Sequence, residues 1–433
     1  MEERSKKVLW THFQIASVSV FATATAVQYL TGYFLQLGYS EMQMAAYGSA
    51  VGFSAFFTIL TPLLVGRMRC YKRATLSLYI FAIAAFAMGA VLAFLLRNAA
   101  FSAAPYIVIA FLLLWQIGMA MVAPALLSLL HGIVGNGRWP SFYGTRSAIS
   151  GIASLVISMA AGLYVGQSPA IEHFLVVLMF GTAFGLINII CVSRFPAVEV
   201  KEAVPRLSDY FKNLWCVLRD SKFIRVLITL LVRTFSYGLI FAFQTKYLIE
   251  ELSMSYRAVY IWSAIGLGCA TIGYKISSYL QNKIGNTATF RLCLFLIIVD
   301  PLLWLFATPN SLLPIYISLA VFGLGGVMGI VNAAYLTSHV GVVFDIATEE
   351  NKSVYMSWTC LARGAAMVVS PLIGGLLISR FAAGSLKVPF ADFSFGGYQI
   401  IFAVMTVLFV ITALFSLTYK GANSERELKA QAK

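Results

Sequence analysis

The sequence predicts an all-α integral membrane protein of about twelve transmembrane helices in two six-helix bundles, and three observations predict it. The first is composition: 60% of the 433 residues are hydrophobic, 11% are charged, and the mean hydropathy is +0.84. Soluble domains are about 45–50% apolar and about 25% charged, so this much apolar surface needs a bilayer as its solvent. The second is that runs of roughly 20 mainly apolar residues, the length that spans a bilayer as a helix, recur from end to end. The third is the distribution of charge, which lies in short segments between the runs.

The predicted spans of the first half are 9–34, 44–66, 74–96, 105–130, 147–167 and 173–193. Those of the second half are 223–249, 256–281, 287–307, 312–336, 353–379 and 396–419. Only helices and closed barrels satisfy every backbone group in lipid. The runs are too long and too continuously apolar for barrel strands. The first run is longer than a signal-peptide core and no clear cleavage site ends it, so it is read as a retained span.

With the N-terminus placed in the cytoplasm, 24 of the 31 basic residues fall on that side. Five (Arg97, Lys246, Arg257, Arg380 and Lys387) fall opposite, and two (Arg233 and Arg363) fall within spans. This is the positive-inside pattern, with both termini cytoplasmic. An odd number of spans would invert every later segment. The net charge of +14 is therefore topology information, and no nucleic-acid partner is expected.

The chain divides into a first bundle at 1–193, a cytoplasmic linker at 194–222 and a second bundle at 223–433. The linker carries Pro196 and Pro205, then Leu207, Phe211, Leu214 and Leu218 at helical spacing, the pattern of an amphipathic helix at the interface. Gly151 and Gly162 in the fifth span are spaced as Gly364 and Gly375 are in the eleventh, where small residues let helices approach closely.

Several function classes lack their signatures. The six cysteines are scattered without a C-x-x-C pair, and the four histidines form no H-x-x-x-H cluster. There is no G-x-x-x-x-G-K-[ST] phosphate loop and no repeated charge ring of the kind that lines an ion channel. No cofactor, metal site or enzyme activity is expected.

Between the second and third spans stands Leu64-Val65-Gly66-Arg67-Met68-Arg69-Cys70-Tyr71-Lys72-Arg73. It resembles the G-x-L-A-D-R-x-G-R-R loop of the major facilitator superfamily, with Met68 at the aspartate and neither motif glycine in place. Ser278-Tyr279-Leu280-Gln281-Asn282-Lys283-Ile284-Gly285 is similar to the same motif, with Asn282 for aspartate. Gly137 to Arg146 and Glu349 to Tyr355 resemble segments of a bacterial subset. The resemblance covers nearly the whole chain. It implies a central cavity lined mainly by spans one, four, seven and ten, and alternating access by rocking of the halves. It also implies a cytoplasmic gate whose candidates here are Arg69, Lys72, Arg73, Arg138, Arg146, Asn282, Lys283, Glu349 and Glu350. Without the aspartate, the usual charge relay falls to other pairs.

Ionisable groups within spans cost about 2.5–3.5 kcal/mol at a helix centre, so the few present are weighed singly. Arg233 shares a helical face with Tyr237 and Gln244. That stripe either receives an anionic or hydrogen-bonding substrate group, which a guanidinium suits, or leaves Arg233 to pair in the cytoplasmic gate or snorkel. Arg363 either adds a second positive charge to the cavity or pairs with Asp345, Glu349 or Glu350. Asp300, before Pro301 in the ninth span, is the coupling candidate, since apolar surroundings favour a carboxyl's neutral form. Its alternative is a place near the outer end of a peripheral helix.

Uncharged polar groups fill out the site. Gln14, Phe21 and Gln28 recur at sevens in the first span, with Ser17 and Thr25 nearby on the wheel. Trp115 and Gln116 lie in the fourth span, and Asn332 and Tyr335 in the tenth. Singly each suits an interhelical hydrogen bond; together they favour a cavity.

The expected protein is a secondary transporter of a small organic solute, with a preference for an anion. A neutral solute such as a sugar or nucleoside, a drug exporter, and a non-transporting receptor or lipid-handling protein on the same fold are the alternatives. Its partners are the substrate, a coupling proton or sodium ion and the lipid bilayer. It is expected as a monomer in a bacterial cytoplasmic (inner) membrane.

Overall fold

The computed structural model describes residues 2–98, 103–134, 139–199, 215–305, 327–347, 352–381, 386–387 and 394–418. Among them are twelve helices long and apolar enough to cross a membrane. Spans 1 to 6 run Leu9–Gln36, Glu41–Met68, Tyr71–Leu95, Ala104–Val134, Thr145–Val165 and Ile171–Ser193. Spans 7 to 12 run Ser221–Phe241, Tyr256–Ile284, Asn286–Leu305, Val327–Ile346, Val354–Arg380 and Gly397–Ser416. Two stretches differ from expectation. Span 7 ends as a regular helix at Phe241 rather than 249. Span 10 continues to Ile346, past the predicted end at 336, while 312–326 lies outside the described residues. The polar run Thr337-Ser338-His339 reads as a terminus in sequence. In the fold, Ser338 and His339 are buried and Thr337 bonds across to Ser277 of span 8, so the helix carries on.

The chain forms two compact units, Met1–Pro205 with Met254–Ala264, and Arg206–Ser253 with Ile265–Lys433. Of the linker's apolar positions, Leu207, Phe211 and Leu214 lie outside the described residues, and Leu218 follows a short helical turn. In the N-terminal unit, span 1 packs on spans 5 and 6, and span 3 on spans 4 and 6. In the C-terminal unit, span 7 packs on spans 11 and 12, and span 9 on spans 10 and 12. One packing plan is thus used twice, offset by six spans.

Close approach is bought with glycine. A Cβ on Gly374 of span 11 would collide with the Leu239 carbonyl of span 7, and one on Gly238 would collide with Ser370 Oγ. Gly181 of span 6 likewise meets Ala24 of span 1.

Several helices are interrupted. Span 1 stops at Ala24 and resumes at Val27, and the Thr25 hydroxyl donates to the Phe21 carbonyl at 2.8 Å across the break. Span 7 is followed by Ala242 and Phe243, a short turn at Gln244–Lys246 and a π-helical turn at Tyr247–Glu251. Span 9 is built of Asn286–Leu296 and Val299–Leu305, which puts Asp300 and Pro301 in the first turn of its second piece. That position suits both residues: proline has no N–H to lose there, and a carboxylate meets the positive helix end.

The ends of the C-terminal unit are tied by polar groups. The Asp220 carboxylate caps span 7 by accepting from the Lys222 and Phe223 amides at 2.9 and 3.4 Å, and takes a further bond from Tyr355 Oη. Arg225 of span 7 and Arg291 of span 9 donate to the Thr418 and Ser416 carbonyls at the end of span 12, at 2.7 and 3.1 Å.

Gly374→Val should destabilise the protein by about 1–3 kcal/mol, the usual penalty for overpacking. A lower melting temperature in detergent checks it; an unshifted melt would show that spans 7 and 11 separate freely.

Candidate functional site

Arg233 lies in the middle of span 7, and its side chain is buried among spans 7 and 10 of the C-terminal unit. Its Nη2 donates to Asn332 Oδ1 at 2.5 Å. Its guanidinium carbon stands 4.3 Å from the centre of the Tyr335 ring and 5.5 Å from that of Tyr237. Asn332 and Tyr335 are three residues apart on span 10, so one helical face supplies both contacts. Tyr335 is itself fixed between Phe290 of span 9 and His339, each ring close to parallel with it. Among the described residues the Arg233 Nε has no hydrogen-bond partner, although Arg233 is only 7% exposed.

The energetics leave this cation short. Removing an ion from water costs several kcal/mol after relaxation. One charged hydrogen bond returns about 1.5–3 kcal/mol and each ring face about 0.5–2 kcal/mol. An acceptor for the remaining N–H would complete the balance.

Asp300 is buried, 3% exposed, and accepts from Trp304 Nε1 at 3.0 Å, one turn further along span 9. It lies within electrostatic reach of Arg233 and Tyr237. Asp300 stands beside Pro301 in the first turn of the second piece of span 9, which packs against span 12, and the carboxyl is enclosed there. Trp304, whose ring neighbours are Tyr247 and Phe402, orients that carboxyl.

Arg363 is exposed on span 11, yet its charge reaches Arg233, Tyr335 and His339. Gln244 departs from expectation. The stripe with Arg233 and Tyr237 assumed an unbroken helix, and the break at Ala242 and Phe243 separates Gln244 from the other two. Its side chain makes no hydrogen bond among the described residues.

In the N-terminal unit, Gln28 follows the span 1 break and is half-buried. Trp115 is packed against Phe86 and Phe21 at ring distances of 4.7 and 6.3 Å, part of the aromatic core of spans 1, 3 and 4. Gln116 sits beside the Tyr47 hydroxyl of span 2.

The gate candidates separate into four groups. Arg69 ends the helix of span 2 with a positive φ of 50°, and beside it Cys70 forms an antiparallel bridge with Glu199; Arg69 and Arg73 are exposed and Lys72 is half-buried. Asn282 and Lys283 are exposed in the last turn of span 8, where Lys283 leans over Tyr279. Arg138, Glu349 and Glu350 lie outside the described residues. Arg146 is different: it points into the unit, donating to the Thr11 carbonyl at 3.1 Å and to Gln14 Oε1 at 2.6 Å. Gln14 Nε2 then donates to Asn188 Oδ1 at 2.7 Å and approaches the Tyr79 hydroxyl at 3.4 Å. This network across spans 1, 3, 5 and 6 was missed, although two amides in otherwise apolar runs were a visible signal. His339 was missed because the tenth span was ended too early.

The family model of the Major Facilitator Superfamily matches residues 77–340, more than half of the chain. The chain belongs to the major facilitator superfamily. No curated protein matches it by sequence. Among solved structures it is similar to a point mutant of the nucleoside transporter NupG, with a TM-score of 0.77 and 12% identity over 95% of this chain and 100% of that one. It is also similar to a bacterial homologue of the human lysosomal transporter Spinster, with a TM-score of 0.68 and 15% identity over 95% and 96% of the two chains. A bacterial homologue of the iron transporter ferroportin follows, with a TM-score of 0.65 and 13% identity over 96% and 98%. At these identities the likeness shows the fold. As a superfamily transporter the chain has a small-molecule substrate and a bilayer around it.

Gln14→Leu should remove the acceptor of Arg146 and the donor to Asn188 together, at about 1–3 kcal/mol per stranded group. A lower melting temperature of the purified variant tests this. A melt equal to wild type would make the network dispensable.

Proposed function

We propose that this superfamily member is a secondary transporter of a small organic anion, received at Arg233 and coupled to a proton carried by Asp300. The observation that carries the reading is a buried guanidinium in mid-span, held by Asn332 and the Tyr335 face, with its Nε left without a partner among the described residues. A carboxylate or phosphate oxygen is the acceptor such a fork is built for. Asn332 and Tyr335 fix the fork before the ligand arrives, so little ordering is left to be done on binding. Asp300, enclosed and near Arg233, is the acid whose charge the arriving anion would oppose, and taking up a proton relieves that opposition. By the charge distribution the termini are cytoplasmic, and the setting is a bacterial inner membrane in which the protein acts as a monomer.

A second reading has one observation in its favour. Asn332 and Tyr237, both beside Arg233 in the C-terminal unit, suit a neutral hydroxylated solute, and a fold neighbour is described as a nucleoside transporter.

Two substitutions divide these readings. Arg233→Gln should cut uptake of anions into proteoliposomes at least tenfold, whereas undiminished anion uptake would end the anionic proposal; nucleoside flux that survives the change would favour the neutral one. Asp300→Asn should keep substrate exchange between equal pools yet lose accumulation driven by an imposed pH gradient. Accumulation at the wild-type level in that variant would remove Asp300 from coupling.

A further inference from the structure

Asn332 and Tyr335 reach Arg233 at one rotation of span 10 about its axis, and span 8 grips span 10 from behind. The part of span 8 in the C-terminal unit carries Gly273, Ser277 and Gln281 at intervals of four, on one helical face. A Cβ on Gly273 would stand 2.6 Å from the Ile330 carbonyl oxygen and 3.0 Å from the Ala333 Cβ, so the two backbones touch. One turn on, Ser277 Oγ lies 2.5 Å from Thr337 Oγ1 and 3.2 Å from the Ala334 carbonyl oxygen. A further turn on, Gln281 Nε2 donates to Ser277 Oγ at 2.6 Å and to Thr337 Oγ1 at 3.3 Å.

These contacts use Ile330, Ala333, Ala334 and Thr337 of span 10. At about 3.6 residues per turn, that face lies about half a turn away from the one carrying Asn332 and Tyr335. One side of span 10 thus meets span 8, and the opposite side meets Arg233.

Each hydroxyl of the contact has a single proton to give. That of Thr337 goes to the Ala334 carbonyl at 3.1 Å, so Ser277 donates to Thr337 and Gln281 donates to Ser277. The bonds run in one direction and polarise one another. Ser277 is fully buried, where water does not compete. The apolar part of the same face is glycine and alanine. Such small residues let helices approach, but they offer no knobs to stop one helix turning against the other. The polar groups supply what the packing lacks. A turn of about 20° would carry an atom about 5 Å from the axis through about 1.7 Å, enough to spoil the Asn332–Arg233 bond.

We propose that Thr337, with Ser277 and Gln281, is a positioning residue of the Arg233 site: this clasp fixes the rotation of span 10 that presents Asn332 and Tyr335 to the guanidinium. Its effect on transport rests on the anionic reading of Arg233 given above; its effect on stability does not. Gln281 belongs to the segment that resembles the family's loop, just before Asn282 and Lys283, so the end of span 8 is linked to Arg233 through span 10.

The test turns on the Thr337 hydroxyl. Thr337→Val keeps the shape of the side chain and removes that group, whereas Thr337→Ser retains it. Uptake into proteoliposomes is measured with whichever of lactate, succinate and inorganic phosphate the wild-type protein takes up fastest. Thr337→Val should raise KM about fivefold with the maximal rate within about twofold of wild type, and Thr337→Ser should keep the wild-type KM. On an Asn332→Ala background, adding Thr337→Val should change KM by less than about twofold, because its route to Arg233 is already cut. A role in folding alone would lower the maximal rate and leave KM where it was. Melting temperatures of the wild type, the two single variants and the double variant, taken without ligand, give a second readout. The loss in the double variant should be smaller than the sum of the two single losses, whereas independent sites would add.

A wild-type KM in Thr337→Val, or the same rise in KM with and without Asn332, would overturn the clasp as a positioning device and leave the anionic reading standing. Melting losses that add would overturn it too. If the folded wild-type protein takes up none of the three anions, the anionic reading fails for them, and the melts alone decide the clasp.

Discussion

A guanidinium inside a bilayer-spanning bundle has to be balanced by acceptors, ring faces or a bound ligand, because neither water nor lipid will do it. The C-terminal unit is arranged around that requirement at Arg233. Span 10 brings Asn332 and Tyr335 to it from one face, span 9 brings Phe290 behind Tyr335 and places Asp300 nearby, and span 11 packs alongside through Gly374. Spans 7 and 10 are thereby tied at a polar centre in mid-membrane, in addition to the polar ties at the helix ends. The centre is not closed: among the described residues the Arg233 Nε is unmatched.

The N-terminal unit solves the same problem differently. Its interior arginine, Arg146, is met by the Gln14 amide and a backbone carbonyl, and Gln14 passes the bonding on to Asn188 and Tyr79. Such a network orders four spans through neutral acceptors. The same packing plan therefore carries two kinds of polar interior. In one half the buried arginine is met by an amide and a carbonyl, whereas in the other it is met by an amide and ring faces.

Much of the fold was legible in the sequence because lipid imposes a simple rule: long apolar runs become helices, and the positions of Lys and Arg mark the segments between them. Composition and run length suffice for twelve spans. Helix interruptions were harder to see. Nothing apolar changes at Thr25 or at Ala242 and Phe243, so hydropathy runs straight through breaks that depend on local hydrogen bonding and tertiary packing. That is why Gln244 was placed on the face of Arg233 and Tyr237. The pairing of Arg233 with Asn332 could be suspected from two polar residues on spans 7 and 10. The inward turn of Arg146 could not, because the rotation of span 5 about its axis is decided by packing. Arg138, Glu349 and Glu350 lie outside the described residues, and their role stays an expectation.

Arg225 and Arg291 hold the closing carbonyls of span 12, where the helix dipole is negative. In a topology count each scores as a single unit of charge, the same as a lysine. As hydrogen-bond donors they are not the same, since a planar fork keeps its direction and an ammonium on a flexible stem does not. Two demands, how the chain is threaded and how its last helix is finished, have thus been met by the same pair of side chains. Exchanging both for lysine would preserve the threading while loosening the finish.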